Sequence, residues 1–211
     1  LLPLVALLGS PRDQEAVFQA RTIPELSIEA LWALGFVGTL PAVETCLKQM
    51  RSGTLSQQAA EAFCCITGLD LARERLVTVP LDEGRDAGED EDEAPEEGPL
   101  LTSDTSLPVP DVDGLLAWWS KNKANFSNDA RYLRGRAVSW GSLREALDHV
   151  STRRRHAIAV ELSARSGGAL ALQPFAFPHV QRTQLQNLAP ISDAALRNTS
   201  RALGFATFRA A

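Results

Sequence analysis

The sequence predicts an all-α fold, an α-solenoid of antiparallel helix pairs, and three observations carry that expectation. Apolar residues recur at helical spacing: Val43, Cys46, Leu47 and Met50 fall at i, i+3, i+4 and i+7, and Ala59, Ala62, Phe63 and Ile66 repeat the pattern. Each stripe needs a neighbouring element to bury it. The segments ALWALGFVG (30–38) and AEAFCCITG (60–68) then align at an offset of 30 residues, with small, apolar and terminal-Gly positions in register. That period suits stacked helical repeats. Aromatic residues make up only 6% of the chain, while Ala and Leu abound, which favours helix over strand.

The elements follow in order. Residues 2–8 read as the tail of a repeat, with Pro3 tolerated in the first turn and Gly9 ending it. The chain opens on Leu rather than Met and on an apolar run, so it reads as a piece cut from a longer protein, with part of the function expected in the missing stretch. The run has no basic flank and is too short for a membrane span, so it is expected to be a helix entering a core rather than a targeting segment. Ser10 followed by Pro11 is an N-cap with Pro at the first helical position, opening a helix to about Arg21. Pro24 separates it from a helix over 26–37, whose face is Ala30, Leu31, Leu34 and Val37 and whose end is Gly38 in the left-handed conformation. Trp32 lies off that stripe and is expected to pack against an adjacent repeat. Pro41 and Gly53 bracket the next helix, and Ser56 is expected to cap the third.

After Asp70 the pattern stops. Residues 82–97 hold ten acidic residues and one Arg, a net −9 that turns a remainder of +4 into the chain's −5. Such a segment cannot bury enough surface to offset its ordering entropy, so 70–110 is expected to be an acidic, Pro-containing, disordered linker or insertion. Order resumes at Asp111, an N-cap for a helix bearing Val112, Leu115, Leu116 and Trp119. Residues 131–138, turning at Gly135, fit a small hairpin or an irregular lid. Ser142 and Glu145 match a capping box for a helix through Val150, and Ser151 and Thr152 cap another that runs to about Arg165. A last helix is expected over 180–188 and a weakly patterned tail over 189–211. The expected organisation is therefore helical repeats over 1–69, the linker, a C-terminal helical region over 111–188, and the tail.

Short motifs along residues 1–188 carry a resemblance. The order ALWALG, short turn, AVETCL is similar to HEAT and lyase-like helical repeats, where small residues let paired helices approach closely. QAAEAFCCITGLDL, Trp118 and Trp119, RYLRG and RRRHAIAVELSARSGG together resemble an uncharacterised proteobacterial HEAT-repeat-like family. The resemblance implies no known activity. It implies an accessory role near bacterial type VI secretion components.

Composition and motifs bound the function. With 45% hydrophobic and 22% charged residues in 211, the chain is of ordinary globular composition. Cys46, Cys64 and Cys65 are odd in number and fall on apolar helix faces, which reads as reduced core thiols of a cytoplasmic protein. His149, His156 and His179 are too far from them in sequence for a zinc site. There is no Gly-x-Ser-x-Gly elbow, phosphate-cradling Gly loop or H-E-x-x-H, so the expectation is no enzyme, cofactor, metal or membrane partner.

The sharpest polar feature outside the acidic run is Arg153, Arg154 and Arg155. Residues 111–211 carry fourteen Lys or Arg against seven Asp or Glu. The ordinary reading is a solvated helix start whose arginines pair with Glu161 or with other helices, although cations at a helix N-terminus oppose its dipole. The functional reading makes these arginines, with Trp118, Trp119 and Trp140, an interaction surface. Two functions follow: a non-enzymatic scaffold or adaptor that binds another protein, as solenoids do, or a nucleic-acid-binding or HEAT-like DNA-repair module using the basic C-terminal region. Against the second, residues 1–81 carry six basic and eight acidic residues, which denies a continuous basic groove. A flexible acidic run can also lie over the arginine-bearing helices and shield them until a partner displaces it.

Overall fold

A computed structural model describes residues 1–78, 107–166, 168 and 183–184. The acidic run, nearly all of the helix expected over 180–188, and the tail lie outside the described residues. Among those described, the fold is mostly helical, with eight α-helices and one two-stranded hairpin.

Helices α1 (Leu2–Leu8), α2 (Pro11–Ala20), α3 (Ser27–Val37), α4 (Leu40–Arg51) and α5 (Ser56–Thr67) fill the first third. Helix α3 packs against both α1 and α5, α2 lies against α1 and α3, and α4 packs mainly against α5. The stripes expected from spacing are the buried ones: Ala30, Leu31, Leu34 and Val37 on α3, Val43, Cys46, Leu47 and Met50 on α4, and Ala59, Ala62, Phe63 and Ile66 on α5. Helices α3 and α5 touch at one pair of positions aligned by the offset of 30, where Cys65 Sγ donates to the carbonyl of Gly35 at 3.4 Å.

Caps set the boundaries. Ser10 accepts from the Asp13 N–H while Asp13 reaches back to the Ser10 N–H, a capping box of which only the Ser10–Pro11 half was expected. Gly38 and Gly68 end α3 and α5 at φ 65° and 74°. Ser56 does not cap α5. It is the first helical residue, and Leu55, at φ 58°, occupies the cap position without a side-chain bond.

The linker expectation of 70–110 is too wide at both ends. Leu71 is buried, Leu76 and Val77 pack against the core, and Val77 forms an antiparallel bridge with Pro110. Apolar side chains tie these flanks down even though charge dominates the stretch between them. Asp111 then accepts from the Gly114 N–H at 3.1 Å and opens α6 (Val112–Asn122). Leu115 and Trp119 of α6 are buried, and Phe63 meets Trp118 and Trp119 edge-on, with ring centroids 6.0 and 5.9 Å away. The aromatic line continues through Phe126 to Tyr132.

Of the two readings of 131–138, the hairpin is the one adopted. Strands β1 (Tyr132–Leu133) and β2 (Arg136–Ala137) pair antiparallel across Arg134 and Gly135, at φ 53° and 76°, as a tight I′ turn requires. The Tyr132 N–H donates to the Gly38 carbonyl at 2.7 Å, and the Arg134 and Gly135 N–H groups donate to Cys65 and Ile66. The hairpin thus satisfies carbonyls that two helix ends would leave without partners. It also shows that α3 and α5 end on the same side of the molecule.

Helices α7 (Trp140–His149) and α8 (Thr152–Arg165) complete the described chain. The Ser142–Glu145 box is displaced by one turn. Ser139 is the cap and Ser142 its reciprocal partner, while Glu145 pairs with Arg136. Leu143, Ala146, Leu147 and Val150 bury the α7 face with Ile158 and Leu162 of α8 in a second apolar cluster. Ser151 precedes α8 but makes no capping bond.

Candidate interaction site

The arginine-bearing helix α8 is fastened to the N-terminal helices by buried charge. Arg154 is only 5% exposed. Its Nε donates to Glu61 Oε1 at 2.7 Å and its Nη2 pairs with Glu61 Oε2. The guanidinium lies 5.0 Å from the Phe36 ring centroid and packs on Gly35, where an added Cβ would stand 3.0 Å from Nη1. A glycine inside a helix costs about 1 kcal/mol relative to alanine, and here its missing side chain is the space the guanidinium fills. Further along α8, Glu161 is fully buried between Arg131 and Arg165. Arg131 Nε donates to the Phe36 carbonyl at 2.8 Å, and Arg165 Nη2 to the Leu7 carbonyl at 2.9 Å. Burial acts against the Glu161 charge, but the two guanidiniums more than offset it and hold the carboxyl below its ordinary range. Helix α8 therefore contacts α5 and α3 near its start and α1 at its end.

This arrangement separates the six residues singled out from sequence. Arg154 is buried in its ion pair, and Arg155 is half-buried, its Nε donating to the Leu147 carbonyl at 2.8 Å. Arg153 is exposed and stacks over Trp32, its Cζ 4.3 Å from the ring centroid. Trp119 and Trp140 are buried in different apolar clusters, and Trp118 is half-buried against Phe63. The six do not share one exposed face. Of the pairings expected for the arginines, with Glu161 or with other helices, Arg154 makes the second through Glu61 of α5, while Glu161 is held by Arg131 and Arg165. Trp32, expected to pack against an adjacent repeat, meets Phe36 on its own helix and Arg153 on α8.

Where α3, α5 and α8 converge, two adjoining depressions open on the surface. The larger, about 460 Å³, lies beside the C-terminal end of α5, between Leu69–Ala72, Leu107 and the α7–α8 junction. The smaller, about 150 Å³, is lined by Ile28, Trp32, Gln58 and Arg153, and both share Glu61, Leu107 and Ser151. Cys64 faces the larger one. Burial first, then the Glu61 charge, pushes its thiol up to about 12, so it stays protonated and poorly nucleophilic at neutral pH. Among the described residues, all three cysteines are free and no cluster of His, Cys, Asp and Glu is suited to hold a metal. No described helix is long and apolar enough to cross a membrane.

Comparison with protein-family models, with curated proteins and with solved structures finds no match. The fold and the groove define the chain only as a mostly helical protein with a mixed apolar and cationic surface depression.

Proposed function

We propose that this chain is a non-enzymatic interaction scaffold or adaptor whose helices are the repeats of a HEAT-like α-solenoid, working in the cytoplasm on another protein. The observation that carries this reading is the surface at Trp32, Ile28 and Arg153. An aromatic ring, an aliphatic side chain that is 45% exposed and a stacked guanidinium stand together there beside a groove. Trp and Arg are the residues that most often dominate protein–protein binding energy. The side-by-side packing of α1, α3 and α5, with α3 and α5 offset by 30 residues, supports the solenoid part of the reading. A role beside type VI secretion rests on the motif resemblance alone.

The intact chain used as bait in a lysate tests the proposal, with the eluate compared before and after nuclease and at two salt concentrations. A protein retained through nuclease and at the higher salt is the expected result. Capture of nucleic acid alone, weakening steeply with salt, would instead support the nucleic-acid module. That second reading keeps fewer residues than the sequence offered it, since Arg154, Trp119 and Trp140 are buried. Its own test is deletion of residues 82–97 followed by titration with single- and double-stranded DNA at two salt concentrations. Unchanged affinity at low salt argues against shielding by the acidic run. New salt-sensitive binding that Arg153→Ala abolishes argues for it.

A further inference from the structure

Building on the scaffold reading, we infer that the groove over α3, α5 and the start of α8 binds an extended peptide segment of a partner protein, one that places an apolar side chain beside an acidic one. The two depressions share Glu61, Leu107 and Ser151 in their walls. Side by side, they offer two adjacent subsites for successive side chains of an extended chain rather than a single closed cavity. The smaller, about 150 Å³, has Ile28 and Trp32 of α3 as its apolar wall, facing Gln58, Glu61, Ser151 and Arg153, and is of a size for one side chain.

Among the described residues, the free charge around this groove is mainly positive. Of the two described carboxylates that line it, Glu61 is matched by a cation and Asp70 is held by backbone N–H groups. Glu61 spends its two oxygens on Arg154, and Asp70 Oδ1 accepts from the Ala72 and Arg73 N–H groups at 3.1 Å. The exposed cations are not matched in the same way. Among the described residues Arg153 stacks on Trp32 and pairs with no carboxylate, and the Arg134 guanidinium donates to the His149 carbonyl, at 3.0 Å. The α8 start adds to this, with no acidic residue in its first turn and no side-chain bond from Ser151. An acidic side chain arriving at Arg153 would complete a charge-assisted pair above the Trp32 face, next to the apolar wall of Ile28 and Trp32. The occupant's chemistry is therefore apolar followed or preceded closely by Asp or Glu.

A random dodecapeptide display library panned on the full 211-residue chain, followed by anisotropy titration of the enriched labelled peptides, tests this. Enriched peptides should carry an aliphatic or aromatic residue within one or two positions of Asp or Glu. Arg153→Glu and Ile28→Asp, both at exposed positions, should each weaken their binding roughly tenfold or more, while Arg51→Glu on α4 leaves it unchanged. Enriched peptides that bind both groove variants as well as the parent would overturn the proposal. A partner protein whose capture survives both substitutions would do so too, leaving the scaffold reading intact. Binding of labelled DNA that Arg153→Glu abolishes and the peptides do not compete with would reassign the groove to phosphate. A chain that neither enriches peptides nor captures a protein overturns the groove and the scaffold reading together.

Discussion

Glu161 places the greatest electrostatic demand on the described chain, because a carboxylate with no exposed surface is tolerated only if its charge is answered. Arg131 and Arg165 answer it, each also donating to a backbone carbonyl of the N-terminal helices. Glu161→Gln removes the anion and leaves two guanidiniums short of a partner, a change expected to cost about 3–5 kcal/mol. The pH dependence has a definite sign. The carboxyl titrates below its ordinary 4.5 in the folded protein, so its stabilisation is fully present above about that pH and is lost as the pH falls through the folded value. Urea melts of the parent from pH 7 to pH 3 should show this loss, and Glu161→Gln should flatten it. Phe63, 0% exposed and edge-on to two tryptophans, marks the apolar side of the same scale. Phe63→Ala is expected to cost about 3–5 kcal/mol, read as a fall in the thermal midpoint.

At the scale of elements, the hairpin β1–β2 is the tie between helices that are far apart in sequence. It lies so close on Gly68 that a Cβ there would stand 2.5 Å from the Arg134 carbonyl carbon and oxygen, and the glycine is at φ 74°. Gly68→Ala adds the left-handed penalty of about 1–2 kcal/mol to the displacement of the hairpin. The variant should be less stable by more than the penalty alone, and the amides of Arg134 and Gly135 should lose protection. The helices themselves were legible from apolar spacing and from Pro and Gly punctuation, which report local physics. Their caps were less so. Ser139 and Ser142 compete with Ser142 and Glu145 for the same signature, and the choice falls to Glu145 finding Arg136 across the turn.

At the scale of the whole molecule, the N-terminal helices and the C-terminal region share one apolar cluster, in which Leu115, Trp119, Tyr132 and Ala157 join residues from α1 to α5. The sequence suggested a division at 69 and 111, because the acidic run and the prolines dominate what lies between. It gave little warning that helices on either side pack together, since pairing across more than 90 residues leaves no periodic trace. The same limit applies to the candidate site. Arg153, Arg154 and Arg155 are adjacent in sequence, but a helix turns about 100° per residue. One therefore points to solvent over Trp32, one to Glu61 and one to the α7 carbonyls. Ile28 and Trp32, one turn apart on α3, carried the missing signal as apolar residues on its less buried side.

The central structural claim is that α8 is an integral part of the helical stack, locked to α1, α3 and α5 by the Glu61–Arg154 and Arg131–Glu161–Arg165 groups. Native-state hydrogen exchange followed by mass spectrometry measures this directly, because segments that open together exchange with the same free energy. Amides of α8 should be protected to the same level as those of α3, and Glu161→Gln should lower both by a similar amount. Exchange of α8 far faster than α3 in the parent chain, or a loss confined to α8 in the variant, would contradict the account.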